Sequence, residues 1–227
     1  MPLRQSPVEI GDTSPLDRTY RTIPDQADID SFAKAVSFAA MGDGLTFLSE
    51  PLDKETEITG PVAAKLRISS STEDADLFLV VRVFTPDLRE VTFPGAIDPH
   101  TPIFQGWLRA SHRKLDPALT QPYRPYHTHD EKQPLVPGEP VEVEVEFWPS
   151  GIVVPAGHRV AFSIRGRDYI WQESTGKKLS NFKNELLGCG PFLHDDPRDR
   201  PLSVFGGTTT IHIDPEHDNY VLLPIIG

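Results

Sequence analysis

Alternating hydrophobic and polar residues recur along this chain with the two-residue period of a β-strand. The clearest run is VEVEVEFW, residues 141–148, in which the valines and Phe147 would face one side and the glutamates the other. The stretches VAAKLRIS (62–69) and HRVAFSIRG (158–166) alternate in the same way. We therefore expect these three segments to be strands whose hydrophobic sides face one core.

A second strand pattern occupies ADLFLVVRVF, residues 75–84, which is hydrophobic on both sides except at Arg82. Such a run is typical of a central strand covered on both faces. Shorter candidate strands are AVSFAA, REVTF, TTTIHI and YVLLPII. About eight strands separated by Pro, Gly and Asp predict an antiparallel all-β fold, and the long connections 94–138 and 169–206 favour a jelly-roll β-sandwich. Leucine and phenylalanine at helical spacing predict a short helical turn within 175–188.

The order of two strands can also be predicted from their connection. Between 141–148 and 158–166 lies PSGIVVPAG, which is rich in the Pro and Gly residues that favour turns. We therefore expect these two segments to be neighbouring antiparallel strands, with Val143, Val145, Phe162 and Ile164 in a common core.

Length and composition indicate one domain with an arm. The 227 residues suit a single sandwich, because all-β domains of this size are commonly one unit. With 23 prolines and 16 glycines, the chain should have many turns and few long helices. Residues 1–34 show no sustained period, so we expect an extended N-terminal arm there and the jelly-roll domain over 35–227.

The charge and the cysteine content exclude several classes of partner. A net charge of -11 argues against a nucleic-acid partner, which usually requires a basic face. The single cysteine, Cys189, cannot form an internal disulfide, and no apolar run resembles a signal peptide or a membrane span. We therefore expect a cytoplasmic protein with no nucleic-acid and no membrane partner.

The stretch GWLRASHRKLDP, residues 106–117, raises the question of serine catalysis because Ser111 and His112 are adjacent. Adjacent side chains point to different sides of a strand or helix, so they would not pair as nucleophile and base. The chain also lacks a serine with glycines at both positions two residues away, which is the hydrolase nucleophile elbow. We expect no catalytic residue here, and interpret the segment as a strand or connection with partnered arginines and with Trp107 and Leu108 in the core.

Metal chemistry is the next candidate, because YHTHDE places His127 and His129 two positions apart. Where the best-known hydrolytic zinc pattern has Asp and His, this chain has Glu131 and Lys132. The metal interpretation is therefore not favoured at these histidines.

Two acidic clusters, 194–199 and 214–218, contain oxygen ligands that calcium accepts, but neither has the spacing of an EF-hand loop. Acid-rich loops beside arginine and proline are usually solvated. We expect no metal and no cofactor, including at the two further histidines His194 and His217, and we interpret Cys189 as a buried structural thiol.

Several motifs in order carry a resemblance to a known family. They are TEITGPVAAKLRISSSTEDADLFLVVRVFTPD, GWLRASHRKLDP, PYHTHDEKQPLVPGEPVEVEVEFWPSGIVVPAGHRVAFSIRGRDY and TTTIHIDPEHDNYVLLPII. Together they make residues 35–227 resemble the C-terminal domain of X-prolyl dipeptidyl peptidases, a domain also found in cocaine esterase and other CocE/NonD hydrolases. The resemblance implies a jelly-roll sandwich, often described as galactose-binding-like, packed against an α/β-hydrolase domain.

In that family the serine, aspartate and histidine of the catalytic triad lie in the hydrolase portion, upstream of the jelly roll. The resemblance therefore implies that this chain is inactive alone and that it buttresses a dipeptidyl-peptidase or serine-esterase active site and shapes its entrance. Its partner would be an α/β-hydrolase domain or chain, with self-association as a further option.

An independent carbohydrate- or ligand-binding module is the alternative, because jelly rolls also bind sugars on aromatic platforms and PYRPYHTH (122–129) has such residues. Docking on another domain explains the same residues. The candidate binding or domain-interface residues are Tyr123, Tyr126, His127, His129, Phe192 and His194. The aromatic residues that we expect to be exposed by a lone copy of the domain are Phe93, Phe104, Tyr123, Tyr126, Phe192 and Phe205.

Overall fold

The computed structural model describes residues 35–172, 186–190, 193–213 and 219–226. Within these ranges it contains strands, one 3₁₀ turn (Ala110–His112) and one short helix, α1 (Leu202–Phe205). The strands are β1 (Ala35–Ala39), β2 (Leu45–Leu48), β3 (Thr56–Ser70), β4 (Asp76–Phe84), β5 (Glu90–Val91), β6 (Phe104–Arg109), β7 (Val141–Val154), β8 (Arg159–Arg165), β9 (Thr208–His212), β10 (Tyr220–Leu222) and β11 (Ile225–Ile226). The predicted all-β fold is confirmed.

Every strand pairing in the described part of the chain is antiparallel. The strand order is β1-β9-β3-β7-β6-β4-β8-β2, with β10 and β11 on β3 and β5 on β4. β1 and β9 pair from Ala35↔His212 to Ala39↔Thr208, so strands from the two ends of the described chain lie side by side. The non-consecutive order is that of a sandwich with crossing connections.

The sheet folds back on itself around one hydrophobic core. β7 and β8 do not pair with each other, but the rings of Phe147 on β7 and Phe162 on β8 lie with centroids 6.2 Å apart. Both side chains are fully buried, as are Val143 and Val145 on β7. The hydrophobic faces predicted from the alternating segments therefore do meet in one core.

The prediction that β7 and β8 are neighbours is wrong. β7 pairs with β3 and β6, whereas β8 pairs with β4 and β2. The physical reason lies at Pro149, which we interpreted as part of a turn. β7 instead continues to Val154, and the β3–β7 register shifts between Gly60 and Val62. A proline has no N–H to donate, and a β-bulge is one of the few places in a sheet that accepts one.

One strand was not predicted, and another was predicted only as a strand or a connection. The first is β2, which has only four residues, too few for a recognisable period, and the second is β6, which lies inside the long connection expected at 94–138. The alternation of β6 could have been recognised in the sequence. Phe104, Gly106 and Leu108 are buried, and the residues between them are not. Gly106 pairs with Phe147, and a Cβ at Gly106 would lie 2.5 Å from the Glu146 carbonyl oxygen. The close approach of β6 and β7 therefore requires glycine.

The central strand was predicted correctly. All nine residues of β4 are buried. The positive charge of Arg82 on this strand is paired with the carboxylate of Glu90 on β5, with Nη2 2.6 Å from Oε2. Of the predicted helical segment 175–188, residues 175–185 lie outside the described residues, as does the proposed arm at 1–34. No helix among the described residues is long and apolar enough to cross a membrane.

Candidate functional site

A groove of about 530 Å³ lies on the outer face of the sandwich, over the start of β4, the end of β6 and the middle of β7. Its volume is within the range of small-molecule sites, roughly 300–1,000 Å³. The outward residues of these strands form its floor, because alternate residues on each strand point away from the core. The segments that contain residues 112, 127–129 and 194–199 complete its walls.

Two tryptophans dominate one wall of the groove. Trp107 on β6 and Trp148 on β7 meet edge to face, with ring centroids 5.3 Å apart. Trp148 lies at the β-bulge beside Pro149 and is 73% exposed. The sequence analysis placed both Trp107 and Leu108 in the core. Trp107 is half-buried, so this expectation is wrong for Trp107 and right for Leu108. Trp107 and Leu108 point to opposite faces of β6, and only Leu108 points into the core.

A network of arginines and aspartates closes one end of the groove. Asp76 at the start of β4 accepts hydrogen bonds from Arg109 and Arg200. Arg109 also donates to Asp199 and lies 4.4 Å over the ring of Phe205. The hydrogen bond with Asp76 is the main reason that the pKa of Arg109 is raised. These contacts fix the acidic segment around residue 199 to the sheet by ion pairs.

His194 stands on the groove wall and is oriented by a buried carboxylate. Its Nδ1 lies 2.9 Å from Oδ1 of Asp168, and its backbone N–H donates to Oδ2 at 2.7 Å. The hydrogen bond that His194 makes to Asp168 raises the pKa of His194, and partial burial opposes the rise. The ring lies 5.5 Å from that of Phe78. His194 is therefore a fixed imidazole on an aromatic surface.

Three further histidines meet at another part of the groove wall. Nδ1 of His129 lies 3.3 Å from Nδ1 of His112, and the ring centroids of His127 and His129 are 5.8 Å apart. Burial lowers the pKa of His127, and the neighbouring His129 and His112 lower it further. Nε2 of His127 is buried and has no hydrogen-bond partner among the described residues.

The structure brings together some of the predicted site residues and separates others. His127, His129 and His194 all line the groove. Tyr123 and Tyr126 are exposed, at 47% and 45%, but do not line it. Phe192 lies outside the described residues.

Two aromatic residues expected on an exposed surface are buried. Phe104 and Phe205 are 1% and 4% exposed, so the expectation is wrong for both. Phe104 points inward on β6, and Phe205 is covered by the guanidinium of Arg109. Phe93 packs partly buried against the core.

The groove residues that the sequence analysis missed include His112, Trp107 and Trp148. The alternation of β6 and β7 was a usable signal for both tryptophans, since Trp148 is out of phase with the inward Phe147. His112 had no local signal, because its partner His129 is 17 positions away.

The Ser111–His112 pair is not arranged for catalysis. Ser111 is buried and its N–H donates to Asp74 at 2.9 Å, whereas the His112 ring lies in the groove against His129. Burial raises the pKa of the half-buried Cys189 thiol to about 12, so this thiol is protonated near neutral pH. A protonated thiol is a weak nucleophile.

A family model matches residues 10–222 of the chain, and its description is the X-Pro dipeptidyl-peptidase C-terminal non-catalytic domain. Among solved structures, a CocE/NonD family hydrolase from Staphylococcus aureus is similar, with a TM-score of 0.71 and 25% identity over 85% of this chain. An α-amino acid ester hydrolase shares the fold, with a TM-score of 0.52 and 16% identity over 89% of this chain.

A protein of Mycobacterium bovis that is named as a serine esterase is 35% identical over 129 residues, or 55% of this chain. The matched region is a small part of each relative. It spans 19% of the Mycobacterium protein, 32% of the Staphylococcus hydrolase and 27% of the ester hydrolase. The relatives therefore contain a large additional portion beyond the region shared with this chain.

Proposed function

Because the chain belongs to the family of X-Pro dipeptidyl-peptidase C-terminal non-catalytic domains, we propose that it is the accessory domain of a CocE/NonD or X-Pro dipeptidyl-peptidase type serine hydrolase. In this proposal it packs against an α/β-hydrolase domain, supports that domain and shapes the entrance to its active site. The chain supplies surface and stability, and the hydrolase domain supplies the chemistry.

The observation that carries the proposal is the exposure of Trp148. A tryptophan side chain buries a large apolar area when a partner covers it, and tryptophan is enriched at interface hot spots. At 73% exposure, Trp148 leaves most of that area uncovered. Trp107 supports its ring from the neighbouring strand, so the side chain is held on a rigid sheet, not on a mobile loop.

The polar rim of the groove suits the same role. His194 lies beside Trp107, His129 lines the same groove, and Arg109 and Asp199 form an ion pair at the edge. Interfaces commonly have an apolar centre surrounded by a polar rim. We therefore propose that His127, His129 and His194 belong to the domain interface, and that the exposed Tyr123 and Tyr126 contact the partner near its edge.

Trp148→Ser tests this proposal, with Val153→Ser as its matched control. Both residues lie on β7 and both are exposed, but Val153 does not line the groove. The partner to be tested is any α/β-hydrolase domain or chain encoded next to this sequence, and binding is measured by titration calorimetry or by co-purification. We expect Trp148→Ser to weaken binding about tenfold or more and Val153→Ser to have little effect.

Equal effects of the two substitutions, or no binding to any neighbouring hydrolase, would contradict the proposed interface. A panel of sugars is titrated in parallel, because an exposed tryptophan can also stack on a sugar ring. Saturable sugar binding that Trp148→Ser abolishes would replace the accessory-domain proposal with the carbohydrate-binding alternative. Sedimentation of the chain alone tests self-association through the same surface.

A further inference from the structure

Three histidines that are separate in the sequence converge at one end of the groove. His112 lies in the 3₁₀ turn after β6, and His127 and His129 lie in the loop that precedes β7. Their ring centroids are 5.4 Å apart for His112 and His129 and 5.8 Å apart for His127 and His129. The carboxylate–imidazole pair of His194 is a separate part of the groove wall.

The shortest distance between two ring nitrogens in this cluster matches the separation of two nitrogen ligands on one metal ion. Two nitrogens bound to one tetrahedral Zn²⁺ at about 2.0–2.1 Å are separated by roughly 3.3–3.4 Å. Nδ1 of His112 and Nδ1 of His129 are 3.3 Å apart. Imidazole nitrogen with a free lone pair is a common ligand of transition-metal ions.

A second observation, independent of that distance, concerns His127. Its Nε2 is buried and has no hydrogen-bond partner among the described residues, which is an unfavourable state for a polar atom. A bound cation would satisfy this nitrogen.

The backbone holds the loop in position for such a site. His129 adopts a left-handed conformation with φ of 52°, which is uncommon for a residue with a side chain. A bridge between Leu115 and His127 fastens the loop to the segment after the 3₁₀ turn, and the Thr128 N–H donates to the Lys114 carbonyl at 3.1 Å. Strained conformations of this kind occur at ligand clamps.

The neighbouring carboxylates are engaged elsewhere. Lys114 Nζ lies 3.0 Å from Oδ2 of Asp130 and 3.4 Å from Oε2 of Glu131. The donors left facing one another are therefore imidazoles. Imidazole nitrogen suits Zn²⁺, Cu²⁺ and Ni²⁺, whereas Mg²⁺ and Ca²⁺ prefer oxygen.

We propose that His112, His127 and His129 bind one divalent transition-metal ion of the Zn²⁺ class at the edge of the groove. As the side chains stand in the described part of the chain, no three His, Cys, Asp or Glu residues are placed so that they could hold a metal ion. The ion therefore binds with rotation of the exposed His129 ring and the partly exposed His112 ring toward Nε2 of His127. This proposal revises the sequence-based expectation of no metal, which considered His127 and His129 without His112.

The test is calorimetric titration of the chain with ZnCl₂ after dialysis against a chelator, with MgCl₂ as the ion control. We expect one Zn²⁺ per chain and no binding of Mg²⁺. His129→Ala removes an exposed ring and leaves the core intact, and it should weaken Zn²⁺ binding at least about tenfold. His194→Ala, which removes the other histidine of the groove, should leave Zn²⁺ binding unchanged.

Absence of saturable Zn²⁺ binding would overturn the proposal and leave the contact between His112 and His129 as an N–H···N hydrogen bond. Equal loss of binding in His129→Ala and His194→Ala would also overturn it, because the ion would then not be bound by the three-histidine cluster. Zn²⁺ binding is measured on the chain alone, so this result is distinguishable from success or failure of docking on a hydrolase domain.

Discussion

Arg200 and Asp76 lie 124 positions apart in the chain and form a buried ion pair, with Nε of Arg200 2.8 Å from Oδ2 of Asp76. The remaining donors of Arg200 are also engaged, since Nη1 and Nη2 donate to the carbonyl oxygens of His194 and Gly166. Arg200 is 3% exposed, so solvent cannot replace these contacts. The pair joins the segment that carries His194 to the start of the central strand.

We predict that Asp76→Ala strongly destabilises the domain, because it leaves the buried charge of Arg200 without its carboxylate. Loss of one partner of a buried ion pair typically costs about 3–5 kcal/mol. Asp196→Ala is the control, since Asp196 pairs with the exposed Arg198 on the surface. It should leave the midpoint of urea unfolding unchanged, and an equal shift for both variants would show that the Asp76 network is not important for stability.

We predict that Phe162→Ala lowers the free energy of unfolding by about 3–5 kcal/mol, as expected for truncation of a large side chain in a core. Phe162 is fully buried against Phe147, on the other side of the sandwich. Val153→Ala provides the comparison, because Val153 is 51% exposed on β7. A loss below about 1 kcal/mol for Phe162→Ala in denaturant melts would contradict the observed packing.

We predict that two histidines of the groove titrate on opposite sides of the ordinary histidine pKa, about 6.5. The hydrogen bond with Asp168 raises the pKa of His194, and burial lowers the pKa of His127. Nuclear magnetic resonance titration of the imidazole nitrogens measures both values. Asp168→Asn should lower the pKa of His194 and leave that of His127 nearly unchanged, and the reverse order of the two pKa values would refute the assignment.

These shifts have opposite consequences for stability. Because the pKa of His194 is higher in the folded state, its contribution is complete below about pH 6.5 and is lost as the pH rises through the folded-state value. The lowered pKa of His127 acts in the other direction, since its burial as a neutral ring becomes unfavourable as the pH falls below about 6.5. Comparison of His194→Gln with the unmodified chain in melts across this pH range separates the two effects.

The local sequence pattern was sufficient to predict most of the core. It was insufficient to predict contacts between residues that are far apart in the sequence. Alternation identified β7 and β8 because each side chain's direction depends only on its neighbours in the strand. It did not give their partners, because the turn expected at Pro149 is a bulge and pairing is decided by the whole sheet. Likewise, the sequence analysis recognised His127 and His129, two positions apart, as candidate site residues. His112 approaches them only in the folded chain.

The pairing of β1 with β9 has a consequence for how fast and when the domain can fold. Ala35 is paired with His212, so this ladder forms only after nearly the whole sequence is available. The entropy of closing such long loops is lost before the contacts between the strands form. β-Sandwiches therefore fold slowly, typically in about milliseconds to seconds. During synthesis the last strands leave the ribosome late, and until they do, the unpaired edge of β3 remains open to pairing with other chains.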